Sequence, residues 1–146
     1  MATQTNYGDL GVAYAGMVAN TELANFVSRT VEDSAGLAFG VAVDRGSDDQ
    51  GCVFGAGGAF LGFSVRDRSL DANTPNKFGQ YDSARIMTKG VIWVTASEAV
   101  DAGDPVYIVD ATGALEKATD TGRTLIANAT WDSSTTAAGL AKVRLS

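Results

Sequence analysis

The side chains in this sequence that could do chemistry are carboxylates and a single thiol, because the 146 residues include no histidine. Without histidine there is no Ser-His-Asp or Cys-His arrangement, no usual zinc ligand set and no usual general base near neutral pH. Cys52 is the only cysteine, so it forms no intramolecular disulfide and has no histidine to activate its thiol. We therefore interpret Cys52 as a small packing residue.

Two groups of acidic residues are candidates for catalysis or metal binding. Glu98, Asp101 and Asp104 lie close together in sequence, and two carboxylates set about 5 to 9 Å apart can hydrolyse a glycoside. Turn chemistry also explains them, because aspartate side chains bond nearby backbone amides in turns. The second group, around Asp44, can likewise be interpreted as a metal site or as a solvated loop.

Asp44, Asp48 and Asp49 could offer oxygen ligands to a hard cation. An EF-hand loop needs glycine at its sixth position and glutamate at its twelfth. Counted from Asp44, those positions hold Asp49 and Gly55, so the pattern fails and we interpret the segment as a solvated loop.

The glycine-rich run at residues 55–58 could be taken for a phosphate-binding loop. No Gly-Lys-Ser or Gly-Lys-Thr follows it, and Phe60 stands where a dinucleotide fingerprint requires glycine. We interpret the run as a bend or bulge that leads into a strand. The sequence therefore predicts no catalytic residue, no metal site and no cofactor.

The charge balance bears on the partners. The formal net charge is −6, and the 11 basic residues are scattered rather than clustered as phosphate binding requires. An acidic chain is repelled by packaged DNA and by anionic membranes, so we expect neither as a partner. No signal peptide and no apolar run of about 18 residues is present. We expect synthesis in the cytoplasm.

The elements that must position these residues are short strands. Glycine is frequent, at 17 residues, and short apolar runs with a period of two lie between the turns. We predict one all-β domain over residues 21–146, a β-sandwich (jelly-roll-like) or a barrel of seven to ten strands. Thr21 could begin a helix containing Leu23, Phe26 and Val27, but a strand fits that stretch better. The C-terminal run should be a strand that buries Ala141, Val143 and Leu145.

The apolar runs at residues 90–95 and 105–109 predict a hairpin that is buried on both faces. Residues 37–43 predict one strand, and so do residues 60–66 and the alternating stretch at 125–131. Trp93 and Trp131 could stack on a sugar or a base, but core positions suit them better. The predicted structural core contains Phe39, Phe63, Trp93, Tyr107 and Trp131.

Residues 1–20 show neither period and form a predicted irregular N-terminal arm. They carry Tyr7, Tyr14 and Met17 among several glycines. Apolar and aromatic groups on a flexible backbone suit a segment that becomes ordered on a partner.

Several motifs together resemble the structural cement proteins that decorate bacteriophage capsids. The resemblance extends from about Tyr7 to Leu145, and the order and spacing of the motifs carry it. These motifs are residues 39–43 followed by Arg45-Gly46, residues 60–67, residues 90–94, Val100 with residues 103–107, Trp131, and residues 139–141 with Val143.

The resemblance implies a small β protein on the exterior of a virion capsid. The implied partners are the major capsid protein and a second copy of the chain as a homodimer, with a trimer as the alternative. We expect Tyr7, Tyr14 and Met17 to contact the capsid. A tail or baseplate β-module, including one that binds carbohydrate, is an alternative that copy number per particle would distinguish. A small enzyme is a further alternative, against which the missing histidines argue.

Overall fold

The computed structural model describes residues 13–67 and 76–146. Within these ranges the chain forms eleven strands and no helix, so the all-β prediction is confirmed. The described residues contain no helix with the length and apolar character needed to cross a membrane. In chain order the strands are β1 (Asn25–Val31), β2 (Leu37–Ala38), β3 (Ala42–Arg45), β4 (Gly51–Phe54), β5 (Phe60–Ser64), β6 (Lys77–Phe78), β7 (Ser83–Ala96), β8 (Pro105–Val109), β9 (Leu115–Glu116), β10 (Arg123–Trp131) and β11 (Gly139–Leu145).

β7 is the longest strand, at 14 residues, and it changes partners halfway along. Its first half pairs with β1, ending near Asn25 and Lys89, and its second half pairs with β11, beginning at Gly90 and Leu145. Gly90 has φ +126, and a Cβ there would lie 2.9 Å from the Cβ of Ala24. Only glycine takes this conformation and this close approach without strain.

The C-terminal strands close into a five-stranded barrel. The order is β7-β11-β10-β8-β9, and β9 returns to β7 through the parallel pairing of Leu115 with Ala96. A closed barrel leaves no open edge between its strands, so the barrel alternative from the sequence is the one adopted. Alternate side chains fill its interior, among them Ile92, Val143 and Trp131.

The N-terminal strands close a second ring that shares β7. The order is β1-β4-β3-β5-β7, with β7 paired again to β1, and β4 runs parallel to β1. A separate core lies here. β2 and β6 form a two-stranded sheet that contributes Leu37 and Phe78 to it. The buried residues of this second core are Val31, Leu37, Val43, Cys52, Phe78, Ala84 and Ile86.

The predicted hairpin of residues 90–95 and 105–109 is wrong. β7 and β8 are not neighbours, because β11 and β10 lie between them in the barrel. The two apolar runs are close in sequence, yet the partner of β7 comes from the end of the chain, where Ala141 lies opposite Val94. The strand order in the barrel therefore follows long-range pairing of β7 with β11, and not the short connection between β7 and β8.

Two predicted strands are interrupted. The stretch at residues 37–43 divides into β2 and β3, because Gly40 has φ +68 and its Cβ position lies 2.4 Å from the backbone nitrogen of Gly16. In β10 a register shift follows Leu125, so Leu125 is exposed while Ile126 and Ala129 are buried. The alternation predicted for β10 therefore holds only in its second half.

Two local predictions are confirmed at the ends of the fold. The stretch after Thr21 forms strand β1 rather than a helix. In β11, Ala141, Val143 and Leu145 are buried, as the alternation of the sequence predicts.

Candidate functional site

Part of the predicted N-terminal arm lies along β7. The N–H of Gly16 donates to the carbonyl of Trp93 at 2.7 Å, and the N–H of Trp93 donates to the carbonyl of Met17 at 2.9 Å. The N–H of Ala19 donates to the carbonyl of Val91 at 2.9 Å. Residues 16–19 thus pair with β7 on the side opposite β11, with Val18 facing Ile92. Tyr7 lies outside the described residues.

Tyr14 and Met17 line the same groove, which has a volume of about 210 Å³. Their exposed fractions are 47% and 38%, which are large for apolar side chains beside a packed sheet. Val65, Arg66 and Arg85 complete much of the lining. The structure therefore brings together two of the three residues that the sequence assigns to partner contact, while that role itself remains a prediction.

Both arginines in this groove stack on aromatic rings. The Cζ atom of Arg66 lies 4.5 Å from the ring centroid of Tyr14, and that of Arg85 lies 4.0 Å from the centroid of Phe26. Attraction between a guanidinium and the face of a ring holds both partners in one orientation. The groove therefore combines the Tyr14 ring with two cationic groups in a protein of net charge −6.

The sequence interpretation missed Arg66 and Arg85 as members of this groove. Arg66 and Arg85 are 19 positions apart, and they become neighbours because the N–H of Val65 donates to the carbonyl of Arg85 at 2.8 Å. Arg66 belongs to the motif at residues 60–67, so the sequence did offer a reason to consider it. The sequence offers no such reason for Arg85, because an exposed arginine on a strand is ordinary.

The aromatic residues assigned to the core divide into two groups. Phe63 and Trp131 are fully buried in the barrel core, whereas Phe39, Trp93 and Tyr107 are only half-buried. Trp93 lies opposite Lys142 in the pairing of β7 with β11, and the Nζ atom of Lys142 lies 5.8 Å from its ring centroid. The run containing Trp93 is apolar throughout, so its alternation was hidden in the sequence.

The acidic residues at the loop after β7 make structural contacts. Asp104 Oδ2 accepts from the N–H of Asp101 at 2.9 Å, and Glu98 Oε1 accepts from the N–H of Lys117 at 2.9 Å. The Lys117 Nζ atom lies 3.4 Å from Asp101 and 3.5 Å from Asp104. These contacts fit the turn interpretation, since each carboxylate has a nearby partner that fixes the loop.

Asp44, Asp48 and Asp49 do not converge on a shared centre. Asp44 Oδ2 accepts from the N–H groups of Ala56 and Gly58, at 3.1 and 2.8 Å, and so holds the glycine-rich bend. Asp48 belongs to another loop, where its own N–H donates to Glu32 at 3.0 Å. Within residues 13–67 and 76–146, no three histidine, cysteine or acidic side chains are grouped to hold a metal ion.

Cys52 is buried in the core of the N-terminal ring. Burial, followed by the nearby Glu32 and Asp33 carboxylates, raises the pKa of this thiol to about 11. A thiol with that pKa is protonated at neutral pH and is a poor nucleophile. This environment fits the packing interpretation.

The described residues form a β-barrel protein with a partly apolar, partly cationic surface groove. A family model described as structural cement protein (E217 gp24/Pam3 gp6) matches residues 3–146, so the chain belongs to that family of phage structural proteins. No curated protein sequence matches the chain.

A solved structure extends this assignment at the level of the fold. A chain of "The capsid of Myoviridae Phage XM1" superposes with a TM-score of 0.76 at 20% identity, over 98% of this chain and 96% of that one. At that identity the likeness shows a shared fold. Together, the family and the fold identify a structural capsid protein of a phage.

Proposed function

We propose that this protein binds the outer face of an assembled phage capsid and stabilises contacts between major capsid subunits. The observation that carries the proposal is the groove that Tyr14 and Met17 share with Arg66 and Arg85. Tyrosine and arginine are the residues most enriched among the energetic centres of protein interfaces. Membership of the cement family supports the capsid as the partner.

The outer face suits the charge of the protein better than the interior does. A chain of net charge −6 is repelled by packaged DNA, whereas the exterior imposes no such penalty. The two arginines of the groove are then a local exception, placed where an acidic or polar surface of a capsid subunit can meet them. The virion exterior is the location that this proposal requires.

The groove is held in place before binding. Residues 16–19 are fixed to β7 by backbone hydrogen bonds, and the Arg66 N–H donates to the carbonyl of Gly16 at 2.8 Å. A contact surface that is already ordered loses less conformational entropy on association. The Tyr14 ring is therefore presented by the sheet.

The effect on the shell is thermodynamic and needs no catalysis or cofactor. A protein that binds only the assembled shell stabilises it by RT ln(1 + [L]/Kd) at each site. Copies at symmetry-related positions multiply this effect. A homodimer is the simplest oligomer, because two-fold symmetry is the commonest closed assembly, and a trimer at three-fold positions is the alternative.

Binding to undecorated capsids tests the proposal. The purified chain should bind such particles in hundreds of copies, visible by electron microscopy as density outside the shell. A handful of copies at one vertex would instead support a tail or baseplate role. A chain that does not bind capsids at all would overturn the proposal.

Two deletions separate the arm from the groove. Removing residues 1–12 retains every residue that the structure describes, and we expect it to weaken capsid binding. Removing residues 1–20 also deletes Ala13, which is buried, and the segment paired with β7, so it should lower stability as well. If the shorter deletion binds as tightly as the full chain, residues 1–12 make no contact.

A further inference from the structure

Tyr81 has an unusual backbone for its type. Among residues 13–67 and 76–146 it is the one residue other than glycine with positive φ, at +68. Its side chain is 76% exposed, so no core packing accounts for a large aromatic there. Bulky residues adopt the left-handed region at a cost, and glycine or asparagine would occupy it with less strain. The ring itself is therefore the feature to explain.

The turn that carries Tyr81 is held on both sides. The Tyr81 N–H donates to the carbonyl of Val31 at 2.7 Å, and the Val31 N–H donates to the carbonyl of Asp82 at 3.0 Å. Within the turn, Asp82 Oδ2 accepts from the N–H of Gly79 at 2.7 Å. Strain persists only where the surroundings determine the conformation, and residues held this way are concentrated at functional sites.

The ring borders a hollow of about 150 Å³ whose lining is acidic. The described lining residues include the carboxylates of Glu32 and Asp48 and no lysine or arginine. Glu32 accepts from the backbone N–H groups of Asp48 and Ser47, at 3.0 and 2.9 Å, which lowers its pKa and keeps it charged. The two carboxylates give this hollow a charge opposite to that of the Tyr14 groove, while the Arg29 guanidinium beside it donates to the lining residue Gln50 at 3.2 Å.

We propose that Tyr81 is a second contact residue and that its hollow receives a lysine- or arginine-bearing segment of a capsid subunit. The inference rests on the proposed capsid binding and adds a site apart from the Tyr14 groove. A cation over the tyrosine ring is attracted by the ring face, and the two carboxylates attract the same charge. The strained turn then holds the ring ready for this cation.

A pair of substitutions tests the ring. Tyr81→Asn tolerates the left-handed backbone but removes the ring, whereas Tyr81→Phe keeps it. Tyr81→Asn should weaken binding to undecorated capsids roughly tenfold, as loss of an aromatic interface anchor does, while Tyr81→Phe stays within about twofold. The denaturation midpoint of Tyr81→Asn should not fall. Binding by Tyr81→Asn equal to that of the parent chain would overturn the inference.

A second pair tests the charge of the partner. Asp48→Asn removes a carboxylate that lines the hollow, and Asp49→Asn removes the adjacent one that does not. Asp48→Asn should weaken binding about threefold at low salt and reduce its salt dependence, with Asp49→Asn unchanged. Equal effects of the two variants would contradict a cationic partner in the hollow.

The outcomes also separate this inference from the proposal on which it rests. If the parent chain binds capsids and Tyr14→Ala weakens that binding while Tyr81→Asn does not, capsid binding stands and the Tyr81 contact fails. If Tyr81→Asn changes the oligomeric state in light scattering but not capsid affinity, the ring contacts a second copy and the inference is wrong.

Discussion

Arg66 is linked to the segment of Tyr14 in two ways: its guanidinium lies 4.5 Å above the Tyr14 ring, and its N–H donates to Gly16. One contact uses the side chain and the other uses the backbone, so ring and strand end are fixed together. Because Arg66 directly follows Val65, which is bonded to β7, the exposed ring is anchored to the central strand of the fold.

Replacing Tyr14 with alanine should weaken binding to undecorated capsids by roughly tenfold, a loss typical of an interface anchor. The denaturation midpoint should move little, because the side chain is half exposed. Leu125→Ala is the matched control, since Leu125 has a similar exposed fraction and lies on β10, away from the groove. If both variants lose capsid affinity equally, the groove does not contribute specifically to binding.

Trp131 and Trp93 should differ in their contribution to stability. Trp131 is fully buried, so Trp131→Ala should lower the free energy of unfolding by about 3 to 5 kcal/mol. Trp93 is half-buried and outward-facing, so Trp93→Ala should cost clearly less. Chemical denaturation of both variants measures the difference, and a larger cost at Trp93 would contradict the strand register.

A substitution at Gly90 should lower stability more than the same substitution at another strand glycine. Gly90→Ala must hold a β-carbon at φ +126 and 2.9 Å from Ala24, so it should lose about 1 to 3 kcal/mol of stability. Gly139→Ala in β11 is the control, because nothing lies within 4 Å of its Cβ position. Similar denaturation midpoints for the two variants would show that β7 accommodates a side chain at Gly90.

Asp44 should matter for stability rather than for metal binding. Asp44→Ala leaves the N–H groups of Ala56 and Gly58 without their acceptor, which should cost about 1 to 3 kcal/mol. Asp44→Asn keeps an acceptor oxygen and should lose less. Adding calcium or magnesium should leave the melting temperature of the parent chain unchanged, and a clear rise would contradict this role.

Cys52 should make stability fall at high pH. Its pKa in the folded chain is about 11, whereas the unfolded thiol titrates near its usual value of 9.0. Between those pH values the unfolded chain releases a proton that the folded chain keeps, so the free energy of unfolding decreases as pH rises. The loss should be of the order of 1 kcal/mol or more. In Cys52→Ala, the free energy of unfolding should fall less steeply between those pH values. Parallel pH profiles of the variant and the parent chain would contradict this prediction.

The sequence predicted those elements in which local alternation and burial agree. Ala141, Val143 and Leu145 alternate with polar residues, so the orientation of β11 could be recognised without the fold. The order of strands could not be, because the partner of Val94 is Ala141, far along the chain. Gly40 likewise gave no local sign that Gly16 packs against it.

The groove illustrates the same limit. Tyr14 and Met17 stood out because they are apolar or aromatic groups among glycines in a segment with no regular period. Arg66 and Arg85 did not, since their proximity depends on the pairing of two strands through Val65. The exposure of Tyr81 and its positive φ are likewise properties of the folded turn, and no residue pattern in the sequence marks them.

Strand β7 belongs to both rings, so the two hydrophobic cores share one strand as part of their boundary. If β7 lost its pairing with the N-terminal ring, the strand that closes the barrel would be destabilised. If β7 lost its pairing in the barrel, the N-terminal ring would be destabilised in the same way. The protein should therefore unfold in one cooperative transition despite its two cores. A tension applied to one ring would pass to the other along the continuous backbone of β7 rather than through a flexible linker.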